Sequence, residues 1–273
     1  MPPAQVNKIK INDLTFQGYS RAGDATGFYV PELGICLDAG IIMDMKPSAM
    51  FITHSHSDHS FMVPYFYGRR GTKLPIYTPG ASVEFYRTYL QGAQNLNDCD
   101  LNAPTKFELR PVEYGDTFEY AGKRTVTVEV IRCFHPVPCV GYLFYEKRNR
   151  LKEEYKGLTG KEIAELRKNN VQINESVVIP LFAFLGDSTP EVFEQNKDNL
   201  KKFPLIICEC TFLTGQQESS KGHTYWSGLK PHVENMKDTT FMLIHFSSAL
   251  KKSEIEDFFK NENIPNVTPF LEK

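Results

Sequence analysis

Four side chains that commonly bind metals lie within one short segment, Thr53-His54-Ser55-His56-Ser57-Asp58-His59, which follows an apolar run. In an extended segment, residues two apart point the same way, so His54 and His56 can present two imidazoles to one ion. Asp58 and His59 follow one step further on. Imidazole and carboxylate suit a borderline cation such as zinc, and a single tetrahedral ion does not need four ligands from one segment. The spacing therefore predicts two metal ions, whereas the alternative interpretation is a polar surface loop.

Five apolar runs along the chain each end on a residue that can bind a metal or transfer a proton. These end residues are His54, His135, Asp187, Glu209 and His245. In layered α/β proteins, the ends of buried strands open onto a shared edge where ligands bind. We therefore expect these five side chains to converge, although they are far apart in the sequence.

The elements that must position these residues alternate between strands and helices. Short alternating apolar runs open the chain as an antiparallel meander, and the segment 106–147 is rich in β-branched residues. We predict helices over 81–94 and 161–168, and a polar loop over 95–104. Buried apolar runs separated by helical segments follow. This order indicates a layered α/β domain with helices on the outside, and a single domain over 1–273.

Composition excludes several classes of protein. A formal net charge of −2 and a pI near 6.4 are not those of a generally basic nucleic-acid binder, so a polyanion must contact a local patch. No apolar run approaches the roughly 20 residues of a membrane span, and the start of the chain has no signal-peptide pattern. The six cysteines form no Cys-x-x-Cys pair, which favours reduced thiols. We expect a cytoplasmic protein.

Two segments could contact a polyanion. The segment 147–175 is rich in Lys, Arg and Glu and poor in aromatic residues, which indicates an inserted arm that projects from the domain. Because its charges are mixed, a solvated surface is the alternative. The stretch Gly68-Arg69-Arg70-Gly71-Thr72-Lys73 has no acidic residue. The better candidates for phosphate contacts than the mixed-charge arm are therefore Arg69, Arg70 and Lys73.

Five further motifs accompany the His-x-His-x-Asp-His segment. They are His135-Pro136-Val137-Pro138, Leu158-Thr159-Gly160-Lys161, Gly186-Asp187-Ser188-Thr189, Glu209-Cys210-Thr211-Phe212 and His245-Phe246-Ser247-Ser248. With them the chain resembles, over nearly its whole length, the metallo-β-lactamase superfamily. Within it the chain resembles ribonuclease Z, the endonuclease that trims 3′ trailers from precursor tRNA, in the short form found in plants. The resemblance implies a four-layer αββα sandwich with a short inserted arm.

The resemblance also implies a role for each site residue. One Zn²⁺ would be held by His54, His56 and His135, the other by Asp58, His59 and His245, with Asp187 bridging the two; Mn²⁺ or another divalent ion could replace zinc. A metal-activated hydroxide would attack phosphorus, and Asp58 would orient it or take its proton. His223 would give a proton to the departing ribose oxygen, and Glu209 would orient His223.

The implied activity is that of a zinc-dependent phosphodiesterase that removes 3′ trailers from precursor tRNA. The implied assembly is a homodimer in which the arm of one subunit holds RNA for the active site of the other. Two alternatives stay open. Ala249 and Leu250 stand where the family usually has Arg-Tyr, which would suit a dinuclear phosphodiesterase acting on small or cyclic nucleotides. A catalytically inactive RNA-binding scaffold could keep the fold, but all seven metal-ligand types are present.

Overall fold

The computed structural model describes residues 6–67, 73–214 and 222–272. The strands in these ranges are β1 (Asn7–Ile11), β2 (Leu14–Arg21), β3 (Ala25–Val30), β4 (Ile35–Leu37), β5 (Ala49–Phe51), β6 (Leu74–Pro79), β7 (Phe107–Val112), β8 (Thr117–Ala121), β9 (Thr125–Arg132), β10 (Val140–Leu151), β11 (Asn174–Phe184), β12 (Leu205–Glu209), β13 (Thr240–Ile244) and β14 (Val267–Pro269). The helices are α1 (Ser57–Ser60), α2 (Val63–Tyr67), α3 (Val83–Asp98), α4 (Gly160–Lys168), α5 (Glu191–Leu200), α6 (Trp226–Asn235) and α7 (Lys252–Glu262).

Each half of the chain builds one sheet, and the two sheets follow the same plan. Strands β1 to β7 lie in sequence order in the first sheet, and β8 to β14 do so in the second. In each sheet the first four strands pair antiparallel and the remaining three pair parallel. Parallel neighbours require crossover connections, and helices α1 to α3 and α5 to α7 occupy five of the six; the connection from β4 to β5 has no helix.

Three hydrophobic clusters define the layers. The first fills the space between the two sheets and includes Phe28, Phe51 and Phe184. The second lies beneath α5, α6 and α7, and the third beneath α2 and α3. Alternation along one strand explains the division, because Phe51 faces the space between the sheets while Met50 faces the helices. The αββα sandwich is therefore confirmed.

The structure corrects one predicted loop. Helix α3 does not end at Gln94 but continues to Asp98, so the first part of the segment 95–104 is helical. Gln91 and Gln94 donate side-chain hydrogen bonds to the residues four positions further on, which stabilise this last turn. The helix ends at Cys99, whose left-handed backbone has φ of 50°.

The segment 147–175 begins and ends within paired strands. Strands β10 and β11 pair in an antiparallel ribbon that ends at the pair Leu151 and Asn174. Between them lies α4, whose predicted position is confirmed; Thr159 and Glu162 form a capping box at its start. Since β10 has 12 residues, its far end lies about 40 Å from its start at about 3.3 Å per residue.

All six cysteines are free; five are buried, whereas Cys99 is exposed. None of the helices in the described ranges is long and apolar enough to cross a membrane.

Candidate metal centre

The side chains predicted to bind metals lie at one edge of the sandwich, where strands of both sheets end. They are His54 and His56 after β5, Asp58 and His59 in α1, His135 after β9, Asp187 after β11 and His245 after β13. Glu209, at the end of β12, lies beside them, 4.0 Å from the ring of His245. The predicted convergence of strand ends is therefore confirmed.

One group of possible ligands consists of His54, His56, His135 and Asp187, whose ligand atoms lie within 4.8 Å of one another. The Nε2 atom of His135 is 3.1 Å from Nδ1 of His56. The ring of His54 is buried, and its Nε2 atom has no hydrogen-bond partner among the described residues. Burial, reinforced by the nearby ring of His59, holds the pKa of His54 well below its usual range, so its lone pair is available. A buried orphan nitrogen of this kind fits a bound cation.

The second group consists of Asp58, His59 and His245. The Nε2 atoms of the two imidazoles are 3.2 Å apart, and Nε2 of His245 is 3.4 Å from Oδ2 of Asp58. Burial favours the protonated form of Asp58, but the hydrogen bond from His245 and the charge of His59 outweigh it and lower the pKa. An anionic oxygen and two imidazole nitrogens therefore face a common point.

Asp187 lies between the two groups. Its Oδ1 atom is 3.4 Å from Nε2 of His59, and its Oδ2 atom is 3.4 Å from Nε2 of His245 and 3.8 Å from Nε2 of His54. The carboxyl group is buried, which alone would raise its pKa, but the imidazoles of His245 and His59 hold the pKa well below its usual range. A carboxylate that reaches both groups is placed to bridge two ions.

Among the five histidines predicted to bind metals, four have a ring orientation that is fixed by a hydrogen bond on the side away from the cluster. The Nδ1 atoms of these rings lie 2.8–3.1 Å from a fixed oxygen, which leaves Nε2 for the cluster. The pairs are His54 with Thr53 Oγ1, His59 with Asp38 Oδ2, His135 with the Gly222 carbonyl, and His245 with Thr211 Oγ1. His56 instead turns Nδ1 toward the cluster. These contacts reduce the freedom of the rings and suit metal ligands.

Asp38 is the residue that sequence reasoning missed. Its buried carboxylate accepts hydrogen bonds from Nδ1 of His59 at 2.8 Å and from the backbone N–H of Thr53 at 2.7 Å. Asp38 therefore fixes both ends of the His-rich segment. A signal was present, because Asp38 directly follows the apolar strand β4, as the other site residues follow theirs.

Two residues of the site have a left-handed backbone. Asp38 has φ of 55° and His245 has φ of 59°, a region that residues with a Cβ rarely adopt. Hydrogen bonds hold both residues there: the N–H of Asp38 donates to the Phe51 carbonyl, and the N–H of His245 donates to Ser20 Oγ, each at 2.9 Å. The strain is offset by these contacts and by the packed strands around them.

His223 and Glu209 form a pair beside the cluster. The Nδ1 atom of His223 is 3.2 Å from each carboxylate oxygen of Glu209. Glu209 is buried and also accepts hydrogen bonds from the Ser188 N–H at 2.7 Å and from the Thr211 hydroxyl. Burial would lower the pKa of His223, but the hydrogen bond and charge of Glu209 outweigh it and raise the pKa to about 9. The structure therefore pairs a protonated imidazole with a buried carboxylate at the edge of the cluster.

Of the three candidates for phosphate contacts, one lies in the described part of the chain. Arg69 and Arg70 lie outside the described residues, and Lys73 is an exposed residue directly before β6. After the His245 motif, the carbonyl of Leu250 accepts a hydrogen bond from the guanidinium of Arg21.

The comparisons with known proteins agree with this geometry. No protein-family model matches the chain. The curated tRNase Z TRZ1 of Arabidopsis thaliana is 31% identical over 261 residues, which cover 91% of each chain. The chloroplastic tRNase Z TRZ2 of the same plant is 29% identical over 268 residues, 93% of this chain and 74% of the relative.

Solved structures show the same fold. The metallo-β-lactamase fold protein YhfI of Bacillus subtilis superposes with a TM-score of 0.64 at 15% identity, over 96% of this chain and 98% of YhfI. The short form of human tRNase Z superposes with a TM-score of 0.56 at 16% identity, over 95% and 96% of the two chains. The chain has the metallo-β-lactamase fold, and its 31% identity to the plant enzyme over nine-tenths of both sequences shows that it belongs to the tRNase Z family.

Proposed function

We propose that the protein is a metal-dependent endoribonuclease of ribonuclease Z type, which removes the 3′ trailer from precursor tRNA in the cytoplasm. The observation that carries this proposal is the pairing of His223 with Glu209 beside a cluster of seven possible metal ligands. A cluster alone would serve many hydrolases, whereas a protonated imidazole beside it supplies the acid that a poor alkoxide leaving group needs. The names of the plant relatives support the choice of tRNA.

The proposed cofactors are two Zn²⁺ ions. Five imidazoles and two carboxylates favour zinc over magnesium, which prefers oxygen ligands, although Mn²⁺ could also bind. His54, His56 and His135 would hold one ion, Asp58, His59 and His245 the other, and Asp187 would bridge them. When bound, such a pair of ions makes a nucleophile from water available at neutral pH and neutralises charge on the phosphate.

The side chains of the protein have separate tasks in this proposal. Asp58 is anionic, and the Gly23 N–H donates to its Oδ2 atom at 3.0 Å, so its orientation is fixed. It would orient the attacking water and accept its proton. His223 would donate a proton to the departing ribose 3′-oxygen, and Glu209 would keep His223 protonated and correctly turned.

The arm supports the proposal of a homodimer. Strand β10 starts beside the metal cluster and runs away from it, so the end of the arm lies about 40 Å from the cluster of its own chain. RNA bound there is therefore better placed to reach the active site of a second subunit. An L-shaped tRNA would span the distance from the end of one subunit's arm to the active site of the other subunit.

Charge pairing within the arm shows which cations could bind RNA. Near the base and in the middle, Lys147, Arg148 and Lys156 pair with glutamates. Four other cations have no carboxylate partner in the described part of the chain: Arg150, Lys161, Arg167 and Lys168. The arm therefore offers unpaired positive charge despite its mixed composition, as phosphate binding requires.

The experiment that tests this proposal compares two substrates. Metal-loaded protein is incubated with a 3′-extended precursor tRNA and with bis(p-nitrophenyl) phosphate. We expect cleavage after the discriminator base, with a 3′-hydroxyl on the tRNA. Turnover of the small ester without cleavage of precursor tRNA would refute the proposed substrate and leave a small-molecule phosphodiesterase.

A further inference from the structure

A cavity of about 480 Å³ opens beside the metal cluster, and among the candidate ligands only His135 lines it in the described part of the chain. Its walls come from both sheets: Pro79 and Val112 from the ends of β6 and β7, and Arg132 from the end of β9. The loop 135–139 forms the side nearest to the metal cluster. The volume lies within the range of about 300–1,000 Å³ that is typical of pockets for small ligands.

Arg132 places a guanidinium at this cavity, stacked on an aromatic ring but not paired with a carboxylate in the described part of the chain. The side chain is exposed, and its guanidinium carbon lies 5.1 Å from the centroid of the Phe134 ring. No carboxylate of the described residues lies within salt-bridge distance of it. Arg110 stacks on Tyr77 in a similar way at 5.5 Å, but Glu108 pairs with it at 3.0 Å. A stacked guanidinium without a carboxylate partner is suited to a phosphate group.

The remaining walls suit a nucleobase. Pro136 and Pro138 line the cavity with apolar surface, and Tyr114 presents a side chain that is 69% exposed at its rim. Unpaired bases stack on such surfaces. Glu113 also lines the cavity and can accept a hydrogen bond from an exocyclic amino group. Because Glu113 repels phosphate, the phosphate must lie at the Arg132 side.

The position of His223 indicates which nucleotide the cavity receives. The departing 3′-oxygen belongs to the last nucleotide of the tRNA, and it must lie at His223 if that residue gives the proton. His223 does not line the cavity, although its ring centroid is 5.0 Å from that of His135. A nucleotide in the cavity is therefore a neighbour of the one whose 3′-oxygen lies at His223, and the single-stranded trailer supplies that neighbour.

We propose that this cavity is the subsite for the first nucleotide of the 3′ trailer, with Arg132 binding the phosphate on the 3′ side of that nucleotide. The inference rests on the proposed function and adds a substrate-binding residue to it. A trailer of one nucleotide has no phosphate on its 3′ side. Only longer trailers can therefore place a phosphate against Arg132.

The test compares wild-type protein, Arg132→Ala and the control Arg110→Ala on two precursor tRNAs, one with a trailer of several nucleotides and one with a single 3′-terminal nucleotide. We expect Arg132→Ala to lower kcat/KM on the long trailer by about 10- to 100-fold, the effect of one charge-assisted hydrogen bond. The defect should nearly vanish on the one-nucleotide trailer. The slope of log kcat/KM against log salt should fall by about 0.7 for the lost single-strand phosphate contact. Arg110→Ala should not alter the dependence on trailer length.

Each other outcome contradicts the inference. Equal losses on both substrates would place Arg132 against the tRNA body, and no loss on either would remove it from the binding surface. Loss of bound metal in Arg132→Ala would assign the residue to the support of His135 instead. The wild-type protein is assayed first. If it cleaves neither precursor, the proposed function is refuted together with this inference, before any variant is compared.

Discussion

Replacement of Glu209 with Gln should move the alkaline limb of the pH–rate profile. The buried carboxylate raises the pKa of His223 to about 9 against the effect of burial. A neutral amide keeps the shape of the side chain but removes the charge. Among the described residues, burial is then opposed only by the charge of Asp187, whose carboxylate lies 3.7 Å from the ring, and the pKa falls toward the ordinary value of about 6.5. Since an acid can donate only from its protonated form, the proposed role of His223 predicts that activity is lost as pH rises through its pKa.

The size of the effect follows from the protonated fraction of His223. Without bound cations, almost all of the wild-type imidazole is protonated near pH 7.5, whereas about one-tenth would be protonated in Glu209→Gln. The variant should therefore be about tenfold slower near pH 7.5, and the ratio should grow with pH until the wild-type pKa is reached. Bound cations lower the pKa of His223 in both proteins, so the difference between the two profiles reports the carboxylate.

The assay is single-turnover cleavage of precursor tRNA by metal-loaded protein between pH 5.5 and 9.5. A second comparison uses His223→Ala, which should slow cleavage by about 10²–10⁴-fold and lose the alkaline limb. If Glu209 acts through His223, the double variant should be no slower than His223→Ala. Metal content is measured in each variant, because Glu209 also contacts Thr211 beside His245.

Two results would refute this reasoning. An alkaline limb at the same pH in Glu209→Gln and wild type would show that the carboxylate does not set the pKa of His223. A double variant much slower than His223→Ala would show that Glu209 serves catalysis by another route.

Four more outcomes are expected. Asp187→Ala should remove the shared ligand, lower the metal content found by elemental analysis and abolish hydrolysis; wild-type turnover would overturn the assignment of the site. Asp38→Asn should weaken metal affinity about 10- to 100-fold, as measured by chelator competition, because the ring of His59 loses its orienting partner; exposed Asp13→Asn is the control. Arg150→Glu with Lys168→Glu should raise KM for precursor tRNA more than Lys156→Ala, whose charge is already paired with Glu153. Treatment with a chelator should lower the Tm in a thermal scan, since the cations bind only the folded state.

The sequence predicted which side chains meet at this edge of the sandwich because much of the information is local. An extended segment places His54 and His56 on one side. His245 directly follows β13, and His135 and Asp187 come three residues after β9 and β11. Asp38 follows a strand too, but β4 has only three residues, and the carboxylate looks like a turn residue in the sequence. Its role depends on the contact with His59, which becomes visible only once β4 pairs with β5.

Other features could not be predicted for physical reasons. The outer part of the ribbon of β10 and β11 is largely exposed on both faces, so it lacks the alternation of apolar and polar residues that marks a half-buried strand. The last turn of α3 depends on amide hydrogen bonds rather than on apolar spacing. The common plan of the two sheets left no repeat in the sequence, because strand pairing constrains the backbone more than the identity of the side chains.

The left-handed backbone of Asp38 and His245 has a consequence for the lifetime of bound cations. Both side chains are buried and hydrogen-bonded, His245 to Thr211 and Asp38 to His59, and both main chains are held within the packed sheets, so neither side chain can turn away unless the surrounding backbone opens. Release of an ion then requires local opening of the backbone, which is slower than side-chain rotation. We expect exchange with labelled metal in solution to follow the rate of this opening. The protein would thus keep the ions that it acquires as it folds, and the metal supply at that moment would determine which ions occupy the site.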